Sequence, residues 1–243
     1  MTRQPINTIL FDLDGTLLPL DQDQFIQDYF SRFVVKGQDL GYSPKLLLAA
    51  LQRGITAMVL NDGSLSNKER FDRVFEEVSG IAAAEFNERF APFYEHEFGL
   101  LRRHASPSPL AREIVQEVKR KGYTVVLATN PLFPCQGTEA RLGWACLESG
   151  QFSLVTTYED FHYAKPNLGY YRQILQTLGQ EASSCLMVGN DVEEDMIAQG
   201  LGMDVYLVTD YLINSKNKDI AGYRTGSLQE LATFIKELPP CNH

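Results

Sequence analysis

The fold follows from residues 9–18, which read ILFDLDGTLL. The apolar run predicts a buried strand from Thr8 to Leu13. Residues two apart in a strand lie on the same face, so we expect the carboxylates of Asp12 and Asp14 to lie close together. Two negative charges at close range repel each other, and a bound cation offsets that repulsion. Mg²⁺ is the natural partner, because it takes one or two carboxylates plus waters and phosphate oxygens. Taken alone, these residues are equally typical of solvated aspartates before an ordinary turn at Gly15.

Composition restricts the class of protein. A chain of 243 residues suits one large domain, or a domain that carries an insertion. Hydrophobic residues make up 44% and charged residues 22% of the chain, which is ordinary for a soluble globular protein. The net charge of −9 argues against non-specific nucleic-acid binding but leaves a small anionic substrate open.

Location and metal use can also be predicted. No apolar run approaches the roughly 20 residues of a membrane span, and the N-terminus lacks the form of a signal peptide. The cysteines are scattered, without a C-x-x-C pair, and the histidines show no zinc-ligand spacing with them. We therefore expect a cytoplasmic protein without zinc and with reduced thiols at Cys135, Cys146, Cys185 and Cys241.

Strand and helix patterns alternate from Ser106 onward. Strands are predicted at 123–129, 152–156, 184–188 and 204–208, and helices at 110–121, 136–147, 168–178 and 193–199. A capping box at Ser227 opens a last helix, and residues 239–243 read as a frayed tail. This alternation predicts an α/β fold: a doubly wound, Rossmann-like parallel sheet with helices on both faces.

Residues 19–105 read as helices with aromatic residues at helical spacing. That spacing favours the core of a helical bundle over a ligand pocket. The segment is too long for an ordinary crossover and follows the carboxyl end of the first strand, the edge where open sheets bind ligands. We therefore predict an α/β core of residues 1–18 and 106–243, with an all-helical cap of residues 19–105 placed to act as a lid.

Further polar residues follow the later strands. Thr129 ends a strand beside Asn130 and could hold an anion with nearby backbone amides. Lys165 would supply a fixed cation at the same edge. Asp191 and Asp195 follow a strand that ends at Gly189, four residues apart on one face of the predicted helix. Each has an ordinary alternative: a strand-ending threonine, a solvated lysine and helix N-terminal capping.

The ordered set of motifs resembles the haloacid dehalogenase-like hydrolase superfamily. The set is D-x-D-G-T at 12–16, T-N at 129–130, K-P at 165–166 and G-N-D-x-x-x-D at 189–195. The position of the insertion resembles the cap that some members carry between the first and second motifs. The second aspartate, Asp14, favours phosphoryl transfer, because the dehalogenases of the superfamily lack it.

The resemblance implies a role for each motif residue. It implies that Asp12 is a nucleophile that forms an aspartyl-phosphate, and that Asp14 acts as general acid and then as base. It further implies that Mg²⁺ binds Asp12, the backbone carbonyl of Asp14, and Asp191. Phosphate would be held by Thr129, Asn130 and Lys165; Asp195 would orient Lys165 or a metal-bound water; Thr16 would brace the first loop.

We therefore expect a Mg²⁺-dependent phosphatase for a small phosphorylated metabolite. A phosphosugar mutase on the same core, and a non-catalytic binding protein, are the alternatives. The segment Leu18-Pro19-Leu20-Asp21 departs from the Asp-Ser pair of many capped phosphatases, so the substrate stays open. Monomer and homodimer are both left open.

Overall fold

The computed structural model describes residues 5–241, which contain a parallel six-stranded sheet. The strands are β1 Thr8–Phe11, β2 Thr124–Leu127, β3 Leu154–Val155, β4 Cys185–Gly189, β5 Asp204–Val208 and β6 Arg224–Gly226. Their order across the sheet is β3-β2-β1-β4-β5-β6. The chain therefore runs outward from β1 in one direction and returns to extend the sheet from β4 in the other. The predicted doubly wound α/β fold is confirmed.

Alternate residues of the strands pack on opposite layers of helices. Ile9 and Phe11 belong to a hydrophobic cluster with helices α5 (Pro109–Arg120) and α8 (Leu228–Glu237). Leu10 faces the other way, into a cluster with α7 (Leu168–Leu178). Helix α6 (Cys135–Trp144) follows β2. Burial on both faces explains why Ile9, Leu10 and Phe11 of β1 are apolar without a break.

Helices fill the segment between β1 and α5. They are α1 Gln22–Asp39, α2 Pro44–Val59, α3 Asn67–Ser79 and α4 Ala83–Glu95, followed by a 3-10 helix, Phe98–His104. The two connections to the core pair with each other: the Ser106 amide donates to the Pro19 carbonyl at 2.8 Å, and the Asp21 amide donates to the His104 carbonyl at 3.1 Å. Within residues 5–241, no helix is long and apolar enough to cross a membrane.

An aromatic cluster joins the inserted helices to the core. Phe98 stacks on Trp144 of α6 at 5.6 Å between ring centroids, and it meets Phe25 of α1 at 6.1 Å. Phe133, in the loop after β2, lies 5.9 Å from both Phe25 and Phe98. The insertion and the core therefore share one continuous hydrophobic cluster.

A further contact ties the start of α3 to the core. Asn67 is fully buried, and its backbone amide donates to the Phe161 carbonyl at 2.7 Å. Its side chain donates to the Pro131 carbonyl at 3.2 Å and accepts from Asn61 at 2.9 Å. We call these contacts, together with the 2.8 Å bond from the Lys68 amide to the Tyr158 carbonyl, the α3 latch.

Three expectations about the chain are corrected. Residues 191–195 form a turn that leads into a 3-10 helix, Met196–Leu201, instead of a helix from Glu193. The first strand ends at Phe11 instead of Leu13, so Asp12 and Asp14 lie in the loop that follows it. Strand β6 lies outside the predicted elements. The chain from Pro239 to Cys241 is docked, not frayed: the Tyr123 hydroxyl donates to the Pro239 carbonyl at 2.7 Å, and the Cys241 amide donates to the Lys121 carbonyl at 2.7 Å. Residues 242–243 lie outside the described range.

Replacing Asn67 with alanine should lower the free energy of unfolding by about 1–3 kcal/mol, because it leaves buried polar groups without partners. Urea unfolding measures this. Gln229→Ala, an exposed amide on α8, is the matched control and should stay within about 0.5 kcal/mol of the parent. Equal stability of the two variants would contradict a structural role for the latch.

Candidate active site

A cleft of about 170 Å³ opens where β1, β2 and β4 end. Their carboxyl ends meet at the point where the strand order reverses, the usual binding crevice of an open parallel sheet. Among the motif residues, its lining includes Asp12, Asp14, Thr129, Asn130, Asp191 and Asp195. The structure thus brings together residues that lie far apart in the sequence.

Lys165 is not among the residues that line this cleft; it lies behind them, in contact with Asp12 and Asp195, and is only 1% exposed. Its ammonium group donates to Asp12 Oδ1 at 2.9 Å and to Asp195 Oδ1 at 2.6 Å. Burial alone would lower the pKa of Lys165, but the charges of Asp12 and Asp195 outweigh it and hold that pKa well above its usual value. Lys165 is therefore a fixed cation that contacts the first and last motifs.

Asp195 is placed by the turn after β4. Its Oδ2 accepts the Asp191 amide at 3.0 Å, while Oδ1 accepts from Lys165. Burial raises the pKa of Asp195, and Lys165 opposes that shift. A Cβ at Gly189 would stand 2.1 Å from Asp195 Oδ2, so glycine at that position gives the carboxylate its room.

Asp191 combines a structural contact with a place in the cleft. Its Oδ1 accepts the amides of Glu193 and Glu194 at 2.7 and 2.9 Å. These bonds close the turn at residues 191–194, so Asp191 does not cap the helix that was expected from Glu193. The same carboxylate lines the cleft, and the turn holds it in place.

Asp14 pairs with a residue that the motifs did not reveal. Arg141, in α6, is 1% exposed and donates to Asp14 Oδ2. Its Nε also donates to the Gly137 carbonyl at 3.1 Å, and its guanidinium lies 4.6 Å from the ring centroid of Phe133. Asp14 Oδ1 is buried and accepts no hydrogen bond from the described residues. Burial, aided by Asp12 and opposed by Arg141, raises the pKa of Asp14.

The first loop is braced against the turn after β4. Gly15 has a φ of +84°, and a Cβ there would stand 2.2 Å from Asn190 Nδ2, so both the conformation and the contact require glycine. The Thr16 hydroxyl donates to Asn190 Oδ1 at 3.1 Å, and Asn190 Nδ2 donates to the Tyr211 carbonyl at 2.6 Å. Thr16 thus lies in a bracing position.

Thr129 contacts its neighbours through its backbone carbonyl, whereas Asn130 contacts them through its side chain. The Thr129 carbonyl accepts the hydroxyls of Thr156 and Tyr170 at 2.6 and 2.9 Å, which fixes the backbone beside the cleft. The Asn130 side chain accepts the Lys165 amide at 3.1 Å and donates to Glu194 Oε2 at 2.9 Å. Asn130 therefore links two loops through its side chain.

The donor set fits one hard divalent cation. Among the described residues, no three His, Cys, Asp or Glu side chains already stand together as a metal cluster. Mg²⁺ needs only one or two carboxylates, and Asp12 and Asp191 in the cleft lining can supply them. The Asp14 carbonyl accepts the side-chain amide of Gln22 at 3.2 Å. The cleft lining is rich in acidic residues. Burial raises the pKa of Glu194 to about 8, and neighbouring carboxylates add to that shift while the nearby Lys165 opposes it.

Sequence reasoning missed Arg141 and Glu194 as site residues. A single arginine in a helix is usually solvated, and the 127 positions between Arg141 and Asp14 leave no local pattern that joins them. Glu194 lies between Asp191 and Asp195 at a variable position of the last motif, so the motif does not single it out, but it lines the cleft.

Comparison with known proteins agrees with this geometry. Residues 6–199 match the haloacid dehalogenase-like hydrolase family. The chain belongs to that family. The resemblance inferred from the motifs is confirmed, and the protein is an enzyme of the hydrolase class.

Curated relatives of this haloacid dehalogenase-like hydrolase carry phosphatase names. A glyceraldehyde 3-phosphate phosphatase of Methanocaldococcus jannaschii is 27% identical, over 96% of this chain and 98% of that protein. A phosphoglycolate phosphatase of Aliivibrio fischeri is 29% identical, over 85% of each chain. A pyrophosphatase, PpaX, of Bacillus cereus is 26% identical, over 81% of this chain and 80% of that protein.

Solved structures share the fold of this hydrolase. A HAD phosphatase of Thermococcus onnurineus aligns with a TM-score of 0.60 and 19% identity, over 97% of this chain and all of that one (100%). The HAD hydrolase YfnB of Bacillus subtilis, which is bound to magnesium, aligns with a TM-score of 0.55 and 19% identity, over 96% and 100% of the two chains. At these identities the likeness establishes the fold.

The buried pair of Arg141 and Asp14 should be energetically coupled. Arg141→Met should cost about 3–5 kcal/mol of unfolding free energy, since it leaves the Asp14 carboxylate without its cation. In an Asp14→Asn background the same change should cost less, by at least about 1 kcal/mol. A double-mutant cycle by urea denaturation in EDTA measures the coupling, and additive costs would contradict it.

Proposed function

We propose that this protein is a Mg²⁺-dependent phosphatase that hydrolyses a small phosphate monoester through an aspartyl-phosphate on Asp12. The observation that carries the proposal is the cleft itself. It places Asp12, Asp14 and Asp191 around one space, with a buried lysine against Asp12. The phosphatase names of the relatives support the same class of reaction.

The first step joins Asp12 to the phosphoryl group. A carboxylate oxygen of Asp12 forms a bond to phosphorus as the bond from phosphorus to the ester oxygen breaks. Asp14 gives its proton to the departing oxygen, which leaves as an alcohol. Burial raises the pKa of Asp14, which shifts the equilibrium toward the protonated form that a general acid needs.

The second step restores the enzyme. Asp14, now ionised, takes a proton from water as the water oxygen attacks phosphorus, and the bond to Asp12 breaks to release phosphate. Arg141 contacts Asp14 in the structure and would stabilise its ionised form between the two steps. One acid thus serves both halves of the reaction.

The negative charge of the phosphate would be neutralised by Mg²⁺ together with residues of the chain. Asp12, the Asp14 carbonyl and Asp191 would hold Mg²⁺, which neutralises phosphate charge when bound. Lys165 and the Thr129 hydroxyl would hold phosphoryl oxygens, with Asn130 keeping their loops together. Asp195 would orient Lys165, and Thr16 would brace the loop that carries Asp14.

The inserted helices complete the proposal. We infer that residues 19–105 act as a cap over the core of residues 1–18 and 106–243, since Gln22, Phe25 and Ile26 of α1 line the cleft. The cap would exclude water and select the substrate. The free cysteines Cys135, Cys146, Cys185 and Cys241 suit a reducing compartment such as the cytoplasm.

Asp12→Asn should reduce phosphate release from p-nitrophenyl phosphate by on the order of 10³-fold or more, because it removes the nucleophile. EDTA should abolish the activity of the parent protein, and added Mg²⁺ should restore it. Asp39→Asn, at an exposed position of α1, is the matched control and should retain activity. Undiminished turnover by Asp12→Asn would refute the assignment of the nucleophile.

Asp14→Asn should affect substrates according to their leaving group. Ethanol is a poor leaving group and needs the proton, so its first-turnover release from ethyl phosphate should fall by about 10²–10⁴-fold. Release of p-nitrophenolate needs no proton and should fall much less. Rapid-quench measurement of the first turnover tests this, and equal losses would argue against Asp14 as general acid.

A further inference from the structure

A second cavity, of about 290 Å³, lies beside the catalytic cleft. It is enclosed by α1, α2, α3 and α4 and by the loop after β2. Ile26, Leu132 and Phe133 line both spaces, so the cavity adjoins the cleft along one shared wall. We call it the cap chamber.

The walls of the cap chamber are largely aromatic. Phe33, Phe71, Phe86 and Phe90 line it and are each at most 6% exposed. Aromatic residues at this spacing predict bundle core, and these residues do pack on one another, with Phe86 and Phe90 at 4.6 Å. Their packing nevertheless leaves a space nearly twice the roughly 150 Å³ that accommodates benzene.

One polar group on the chamber wall is not fully paired: the Glu159 carboxylate accepts the Cys135 amide at 3.0 Å through Oε1, but its buried Oε2 accepts no hydrogen bond from the described residues. This negative group would repel an anion, whereas Tyr29, Tyr94 and Lys68 on the same wall are paired. The hydroxyls of Tyr29 and Tyr94 share a hydrogen bond of 3.1 Å. Lys68, the lysine among the chamber-lining residues, pairs with Asp72. An anionic group that entered the chamber would therefore find its nearest cation neutralised, whereas an apolar group would exchange water for aromatic surface.

The cationic side chains near the catalytic cleft also form ion pairs with carboxylates. Lys165 contacts Asp12 and Asp195, and Arg141 contacts Asp14. A carboxylate or second phosphate on the substrate would compete with these buried pairs. The charge distribution therefore disfavours a leaving group that carries its own carboxylate, such as glycolate.

We propose that the cap chamber binds the organic part of the substrate, so that the enzyme acts on phosphate monoesters of apolar aliphatic or aromatic alcohols. This inference rests on the proposed phosphatase function. The phosphate would occupy the cleft, and the carbon chain would pass the shared wall at Ile26, which is 37% exposed. Specificity would then come from apolar contact area.

A series of primary alkyl phosphates, from ethyl to hexyl, with 2-phenylethyl phosphate, tests the inference, because their leaving alcohols have similar acidity. With Mg²⁺ present, kcat/KM should rise by roughly fourfold per methylene group, the factor that burying a methylene supplies. Phosphoglycolate should be hydrolysed more slowly than ethyl phosphate. A flat series, with ethyl phosphate hydrolysed, would overturn the inference and leave the phosphatase function intact.

Two tryptophan variants locate the effect. Ala91 is exposed at the rim of the chamber, and Ala91→Trp should lower the ratio of hexyl to ethyl phosphate kcat/KM at least fivefold. Ala84→Trp, exposed on the same helix but outside the chamber lining, is the matched control and should keep the parent ratio. Equal ratios in the two variants would place the apolar preference elsewhere and overturn the inference.

Binding can be measured without turnover. Hexylphosphonate, which cannot be hydrolysed, should bind the parent protein at least tenfold more tightly than ethylphosphonate by calorimetry, and Ala91→Trp should weaken that preference. If no monoester is hydrolysed but the preference is found, the phosphatase function fails while the chamber is confirmed as a ligand site. Equal binding of the two phosphonates would refute the chamber as a ligand site.

Discussion

The site depends on a lysine that stays charged inside the protein. Burying an ammonium group costs several kcal/mol unless carboxylates surround it at close range. Lys165 meets this condition through Asp12 and Asp195, at 2.9 and 2.6 Å. One carboxylate follows β1 and the other follows β4, so the loops after neighbouring strands must meet at one point. The small size of Gly189 serves the same requirement, because any side chain there would displace Asp195.

A second ion pair connects this arrangement to the inserted helices. Arg141 holds Asp14 from α6, and the same guanidinium lies against Phe133. Phe133 in turn contacts Phe25 and Phe98 of the insertion. The carboxylate proposed as acid and base is therefore supported by a hydrophobic cluster that extends well beyond the sheet. Packing changes in that cluster reach Asp14 through Phe133 and also through Trp144, which lies on the same helix as Arg141 and stacks on Phe98.

Prediction from the sequence succeeded where the signal was local and periodic. Alternating burial on two helical layers explains why β1 and the α/β alternation could be recognised, and the carboxylates of Asp12 and Asp14 stood out because like charges rarely adjoin without a partner. Prediction failed where particular side-chain contacts determined the local structure. The carboxylates of Asp191 and Asp195 accept hydrogen bonds from backbone amides. These bonds stabilise a turn where a helix was expected. The carboxyl-terminal segment is held by Lys121, whose ammonium donates to the Lys236 carbonyl at 2.7 Å, and no local pattern encodes that contact.

The α3 latch affects how the molecule can move. The inserted helices leave and rejoin the core through two strands of chain that pair at Leu20 and Ala105, and such a pair could serve as a hinge. Asn67 and Lys68 add an attachment far along the insertion, through carbonyls of Phe161 and Tyr158. A swing about the hinge would have to break those bonds and expose a buried asparagine. A groove beside Tyr211 and Ile213 adjoins the catalytic cleft and shares Gln22 and Asp191 with it. This groove offers a route between the cleft and solvent that leaves the latch intact.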